Sequence, residues 1–300
     1  MIIKRKKRME NMRDYVITTD NNADLPDQYL EEHQVGCTYL SYSMNGQNYT
    51  HENFLPVHEF YEAMRKGAMP TTAQVNPETA KMFMEPYLKE GKDILHIAFS
   101  SGLSGTYNST RIAADELQEE YPDRKIIVVD SLSASLGQGL LVWLAQQKKE
   151  LGQTMEDVAD WVEKNKLKMV HLFTVDDLNH LYRGGRVSRT TAIVGSMLNI
   201  KPVLHVDNEG KLTAIGKVRG RKKALQELVK LMDEKIGSFG AGCDTIFISH
   251  GDCEQDAQYV AEKVKEKYNI KNIIINQVGA TIGAHSGPGT MALFFVGDVR

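Results

Sequence analysis

The sequence predicts an α/β protein of two lobes: a doubly wound, mostly parallel N-terminal sheet domain and a mixed α+β C-terminal domain. Three observations carry this reading. Short β-rich apolar runs alternate with longer windows of helical periodicity through the first half, the pattern of βα units around a parallel sheet. In the second half that rhythm breaks, because the apolar runs 202–206 and 212–218 are joined by the turn cluster Asp207-Asn208-Glu209-Gly210, which suits an antiparallel hairpin. A chain of 300 residues is also too long for one small core and suits two lobes of ordinary size. The expected domains are 14–165 and 166–300.

Taken in order, the first half offers strands at 15–19, 37–43, 94–99 and 126–129. Helices fall at 57–66, 77–89, 104–120 and 135–150. Pro77 stands at the first helical position, where proline is favoured, whereas Pro86 should kink or restart its helix. A further helix at 155–164 precedes strands at 169–175, 202–206, 212–218, 245–249, 272–276 and 292–296, with helices at 191–198, 222–235 and 255–268 between them. No internal repeat or low-complexity segment stands out.

Apolar residues make up 42% and charged residues 25%, the balance of a soluble globular protein. The net charge of −3 argues against nucleic acid or an anionic membrane as a partner. Lys4, Arg5, Lys6, Lys7, Arg8 and Arg13 form a local basic cluster with no apolar run after it, so we expect an extension and neither a signal peptide nor an anchor. No window is long and apolar enough for a membrane span, so stable membrane insertion is not expected. Three cysteines without C-x-x-C spacing support neither a disulfide framework nor a Cys-rich zinc site, and a cytoplasmic location fits best.

The most informative stretch is Ser100-Ser101-Gly102-Leu103-Ser104-Gly105-Thr106-Tyr107, directly after the strand 94–99. Small hydroxylic residues and glycines sit where a strand ends and a helix begins, the edge at which open α/β sheets bind anionic groups. Ser104 alone could be a helix N-cap. The stretch lacks the Walker lysine and the dinucleotide glycine pattern, so no nucleotide cofactor is expected. Pro70-Thr71-Thr72-Ala73-Gln74-Val75-Asn76-Pro77 holds hydroxyls and an amide ahead of another helix and could simply cap it. In Gly279-Ala280-Thr281-Ile282-Gly283-Ala284-His285-Ser286-Gly287-Pro288-Gly289, read as a loop between strands, the glycines imply positive φ angles or close backbone contact around one histidine. Arg183-Gly184-Gly185-Arg186 reads as an exposed turn whose guanidinium groups could grip carboxylate or phosphate. Arg219-Gly220-Arg221-Lys222-Lys223 opens a helix. Asp20, Asp130, Asp176 and Asp177 lie near strand ends, but no metal-binding His pair, serine elbow or ordered carboxylate dyad appears, which counts against a hydrolase or metalloenzyme.

In this order the stretches resemble the DegV family, whose members are similar to the fatty-acid-binding subunits of bacterial fatty acid kinase. The matching motifs are Thr19-Asp20, Pro70-Thr71-Thr72-Ala73-Gln74, the stretch from Ser100 to Tyr107, Asp130-Ser131, Gly184-Gly185-Arg186, Lys201-Pro202, residues 218–224, His250-Gly251 and residues 283–289. The resemblance implies two lobes enclosing a long-chain fatty acid, its carboxyl group near their interface and its acyl chain buried. It implies that Thr72 and Ser101 hold the carboxyl group with His285 in the same network, supported by Gln74, Ser100, Gly102 and Gly283. By the same analogy Arg186 and Arg219 serve a separate fatty acid kinase subunit and phosphoryl chemistry. Two positions depart from the family pattern: Ala73 replaces a common serine, and so does Asn21.

The expected function is therefore a lipid-binding carrier without its own catalytic cycle, cofactor or metal. The competing reading is a stand-alone kinase or acyltransferase with Ser101 as nucleophile and His285 as base, for which no nucleotide loop or oxyanion arrangement is visible. A DNA-binding role would rest on the basic N-terminus alone.

Overall fold

The computed structural model describes residues 13–188, 199–298 and 300. The expected helix 191–198 and the basic cluster from Lys4 to Arg8 lie outside them. The first half runs β1 (Tyr15–Asp20), α1 (Asp27–Glu32), β2 (Gly36–Thr38), β3 (Ser41–Met44), β4 (Gln47–Tyr49), α2 (Val57–Arg65), β5 (Thr71–Ala73), α3 (Pro77–Lys89), β6 (Asp93–Ala98), α4 (Thr106–Glu120), β7 (Ile126–Asp130), α5 (Leu136–Glu150) and α6 (Met155–Asn165). The second half runs β8 (Met169–Thr174), α7 (Leu178–Arg183), β9 (Ile200–Val206), β10 (Leu212–Arg219), α8 (Arg221–Lys235), β11 (Thr245–His250), α9 (Glu254–Lys265), β12 (Asn272–Gln277), α10 (Ala280–Ser286) and β13 (Met291–Val296).

A four-stranded parallel sheet has the order β2-β1-β6-β7. Its strands alternate between two apolar layers, as a doubly covered sheet requires. Val16 and Ile94 pack with Met84 and Leu117 of α3 and α4, whereas Ile17, Leu95 and Ile97 face the opposite layer with α5 and α6. A six-stranded sheet, β10-β9-β8-β13-β11-β12, is mixed, parallel only between β11 and β12. The predicted hairpin is present: β9 and β10 pair antiparallel, and Asp207 caps their turn by accepting from the N–H groups of Glu209 and Lys211.

Four expectations need correction. The run 37–43 is not one strand but two, because the chain leaves the parallel sheet after Thr38 and enters a small antiparallel sheet, β4-β3-β5, whose short strands carry little periodicity. Residues 280–286 form a helix, not a loop. Helix α3 runs through Pro86 without interruption. Pro86 and Met82, whose carbonyl loses its partner, are both exposed, so water can satisfy the freed group. Helix α4 begins at Thr106, two residues later than predicted.

The two large sheets are joined by α5, which is buried on nearly all sides and packs against β1 and β6 of one sheet and β8, β11 and β13 of the other. One apolar cluster runs from Ile17 and Leu95 through Leu140 and Leu141 to Phe173, Phe247 and Phe294. We retain the division near residue 165 as a proposal, since α5 and this cluster serve both halves.

Phe247, fully buried, meets the Trp143 ring edge-to-face at 5.8 Å. Phe247→Ala should lower stability by about 3–5 kcal/mol, through lost burial and a residual cavity. Urea unfolding followed by tryptophan fluorescence measures this, and a loss under about 1 kcal/mol would mean the shared core does not depend on it.

Candidate functional site

A cavity of about 970 Å³, counted out to its mouth, opens where the strand ends of the parallel sheet meet α10 and the six-stranded sheet. Its wall is mainly apolar, built by Phe99, Leu103, Phe173, Leu181, Val206 and Phe294 among others. Thr72, Gln74, Ser104, Arg186 and His285 supply polar groups to the same space.

Thr72 comes from β5, where pairing with Tyr42 fixes its backbone. Its Oγ1 lies 2.8 Å from His285 Nε2, so two motifs 213 residues apart meet in one hydrogen bond. His285 is carried by α10, which lies tight against α2: a side chain at Gly283 would strike the Tyr61 hydroxyl. Burial, with help from Arg186 and Arg183, lowers the His285 pKa to about 4, so the imidazole is neutral at pH 7. Gln74 Nε2 donates to Ser109 Oγ at 3.1 Å, and its amide packs on Gly105, where a Cβ would displace it. Asn76, not Thr72, caps α3, with Oδ1 accepting from the Thr79 N–H.

Arg186 turns inward, contrary to the exposed turn expected. Gly185, at φ 72°, reverses the chain after α7. The half-buried guanidinium then donates from Nε and Nη2 to the Leu103 carbonyl, at 3.1 and 2.9 Å, and from Nη1 to the Gly184 carbonyl. Burial lowers its pKa. The reason is geometric, since Leu103 and the turn at Gly184 leave carbonyls that only a planar fork can reach together. Arg219 is exposed at the end of β10.

The Ser100–Thr106 segment divides in a way the sequence did not reveal. Ser100 is buried and donates to the Gly210 carbonyl at 2.8 Å, while a Cβ on Gly102 would meet the carbonyls of Glu209 and Gly210, so both dock the segment onto the β9–β10 turn. Ser101 is exposed, is not among the residues lining the cavity, and has its N–H bonded to Asp130 Oδ1. It does not join Thr72 and His285. The serine of this segment that lines the cavity is Ser104, whose hydroxyl accepts from the Thr106 N–H at 3.2 Å. The available signal was its place at the helix start, where a capping hydroxyl stands next to free N–H groups. With Ser101 outside the cavity and His285 Nε2 bonded to Thr72, the nucleophile–base pair of the stand-alone enzyme is not assembled.

The four acids near strand ends serve the scaffold. Asp130 accepts from the loop N–H groups of Ser101 and Leu132, Asp177 caps α7 by accepting from the Asn179 N–H, and Asp176 pairs with Lys201 at 2.6 Å. Asp20 accepts from the N–H groups of Phe99 and Asn22, and burial raises its pKa to about 6. Sequence reading missed Asp24, which burial holds at about 7 although Ser135 Oγ and the Gly279 N–H donate to it at 2.5 and 2.9 Å. Asp24 thereby ties α5 and α10 to the β1 loop. His58, Glu62 and Asp252 are the one cluster of metal-ligating type found among the described residues, and Arg65 already pairs with both carboxylates there. Among the described residues no helix is long and apolar enough to cross a membrane.

A histidine whose native pKa lies near 4 instead of about 6.5 gives stability that is complete above pH 6.5 and is lost as pH falls toward 4, because the unfolded chain takes up the proton first. His285→Gln should flatten that part of the stability–pH profile, and NMR titration should find the His285 ring neutral at pH 5. A ring that titrates near 6.5 would refute the burial.

Comparison with known proteins places this chain in a family. The model of an uncharacterised-protein family, DegV, matches residues 14–298. A DegV domain-containing protein of Clostridium perfringens is 45% identical over 291 residues, spanning 96% of this chain and 99% of the relative. The solved structure of a DegV family protein from Thermus thermophilus, described as fatty acid binding, is 31% identical, with a TM-score of 0.85 over 95% of this chain and 100% of that one. DegV of Bacillus subtilis, described as a fatty acid binding protein, is 30% identical, with a TM-score of 0.82 over the same shares. With a family model spanning nearly the whole chain and a relative at 45% identity, this chain belongs to the DegV family.

Proposed function

We propose that this chain binds a long-chain fatty acid in the cavity between its sheets and presents the carboxyl group to a separate ATP-dependent kinase, which forms the acyl phosphate. The observation that carries the binding step is the apolar cavity with Thr72 and a neutral His285 hydrogen-bonded at its polar end. Burying an alkyl chain yields about 0.8 kcal/mol per methylene, so a long tail drives binding provided the carboxylate meets donors. Thr72 and Ser104 offer hydroxyl donors, His285 holds Thr72 in place, and Arg186 adds positive charge to the same cavity. The fatty acids described for the Thermus and Bacillus relatives support the same ligand class.

The kinase step rests on the family resemblance and on exposed cations. Arg219, at the end of β10, suits an acidic or phosphorylated partner group. Arg186, with its guanidinium engaged by two carbonyls, suits a role at the cavity wall, beside the carboxyl group that would be phosphorylated.

The purified chain should carry fatty acid, identified by mass spectrometry of extracted lipid. Thr72→Val should weaken binding of added hexadecanoate by about tenfold or more, the loss of one donor to a charged acceptor, whereas Ser101→Ala should leave it within about twofold. An apo protein that takes up neither hexadecanoate nor oleate would overturn the reading. With the host's kinase and ATP supplied, Arg219→Ala should reduce acyl-phosphate formation and retain lipid binding. Full acyl-phosphate formation would remove Arg219 from the mechanism.

A further inference from the structure

Residues 41–73, which supply Thr72 to the cavity, form a unit of their own: the small sheet β4-β3-β5 and α2 close over a core of Tyr42, Met44, Tyr49, Phe60, Tyr61 and Met64. The rest of the chain meets that core at Ala280 and Ala284 of α10, with Gly283 against Phe60 and Tyr61. Three small residues present little side-chain surface to interlock with α2, which favours parting of the two helices as whole bodies. Among the described residues, each hydrogen bond that 41–73 makes outside itself goes to Asp252, Val278 or His285, and none to the parallel sheet. Yet both ends of the segment are held beside that sheet. Leu40 and Val75 are buried together with Ala80 of α3 and Ala113 of α4, and the Leu40 N–H donates to Asn21 Oδ1 at 2.9 Å. Two ends anchored in one apolar cluster make a hinge. At the far side, Asp252, in the turn between β11 and α9, accepts from Arg65 Nη1 at 2.5 Å on its carboxylate and from Nη2 at 3.1 Å on its carbonyl. The His58 ring stands 3.0 Å from the same carboxylate. Both partners of Asp252 face solvent, which keeps this contact weak enough to release.

Resting on the fatty-acid reading, we propose that residues 41–73 are a lid that swings off α10 about Leu40 and Val75 to admit and release the acid, with Asp252 as the catch that sets how often it opens. Opening draws Thr72 away from His285, so the polar end of the cavity is assembled by closure. The hinge and α10 do not have to move. Leu40 and Val75 stay in their cluster, and α10 stays tied to Asp24 through the Gly279 N–H. When the open state is a minor one and the acid is held in the closed state, loosening the catch multiplies the rates of entry and escape by the same factor and leaves affinity unchanged.

Stopped-flow mixing of the delipidated full-length chain with cis-parinaric acid, a fluorescent polyene fatty acid, reads entry, and displacement of that acid by excess hexadecanoate reads escape. Asp252→Asn keeps a side chain tolerant of the φ of 56° at this position. It should raise both rate constants about two- to fivefold, the worth of an exposed ion pair, and leave Kd within about twofold. Arg65→Gln should do the same, and carries the test should the first variant not fold. In native-state hydrogen exchange, the amides of β3, β5 and α2 should exchange together and faster in both variants, while those of β1 and β6 do not change. Unchanged rates, or unchanged exchange across 41–73, would overturn the lid. So would faster escape alone with weakened affinity, because a contact that acts on the bound acid and not on opening leaves entry untouched. A wild-type chain that binds neither acid would overturn the underlying fatty-acid reading, a result distinct from binding at rates that Asp252 does not govern.

Discussion

The burial of α5 between two sheets is the constraint on which the rest of this structure depends. Apart from its last turn, where Gln147 and Glu150 are exposed, the helix has no solvent face on which to place polar groups, so those along its buried length turn to partners inside. Gln138 donates to Thr19 Oγ1 and the Ile97 carbonyl in the parallel sheet. Gly137 lies so close to the His171 ring of the six-stranded sheet that any side chain there would collide with it, and Gly139 approaches the Ala23 carbonyl in the same way. His171 is itself buried and neutral, accepting from the Ala134 N–H ahead of the helix and facing the Met169 carbonyl with its other nitrogen. The helix thus fixes the separation of the sheets, and the cavity is the space left beyond its N-terminal end.

That end is also where the polar seam begins. Ser135, immediately before α5, adopts φ 54°, an uncommon conformation for a non-glycine residue, and its hydroxyl meets Asp24 and Ser249 at 2.5 and 2.8 Å. Asp24, also at positive φ, accepts from the N–H at the start of α10, and Asn276 donates to its carbonyl. Two segments distant in sequence, at Ser135 and Gly279, therefore donate to one buried carboxyl group, and Ser249 joins the seam through Ser135. The position of His285 is set through this seam at one end of α10 and through the packing of Gly283 on α2 in its middle.

Most of the framework was legible in sequence because it follows from periodicity. Strands β1, β6, β7 and β8 and helices α2, α3, α5 and α6 fall within two residues of the ranges that alternation and helical spacing indicate. The small sheet was not legible: β4 and β5 have three residues each, too few for a period, and their pairing depends on the distant packing of α2 and α10. The site was legible in part. Thr72 and His285 stood out by motif and do meet, but that Ser104 and not Ser101 borders the cavity depends on where the strand ends and which way the following turn faces. Arg186 was visible as a basic residue in a glycine turn. That its guanidinium would be spent on the Leu103 carbonyl depends on a segment 83 residues earlier in the chain.

The charge balance of the cavity links this geometry to the chemistry of its guest. His285 is kept neutral chiefly by burial and then by the two nearby arginines, and Arg186 is itself pushed toward lower pKa by burial. Both shifts mark a partly dehydrated region where positive charge is disfavoured. A carboxylate placed there would reverse the balance: it would favour the guanidinium, raise the imidazole pKa, and accept the hydroxyl hydrogen bonds of Thr72 and Ser104 at low dielectric. A neutral guest such as an alcohol or alkane would gain the apolar wall but leave that electrostatic cost unrelieved. Under the fatty-acid reading proposed above, the cavity selects by two terms, apolar area for the chain and one negative charge for its end, and a fatty acid anion satisfies both.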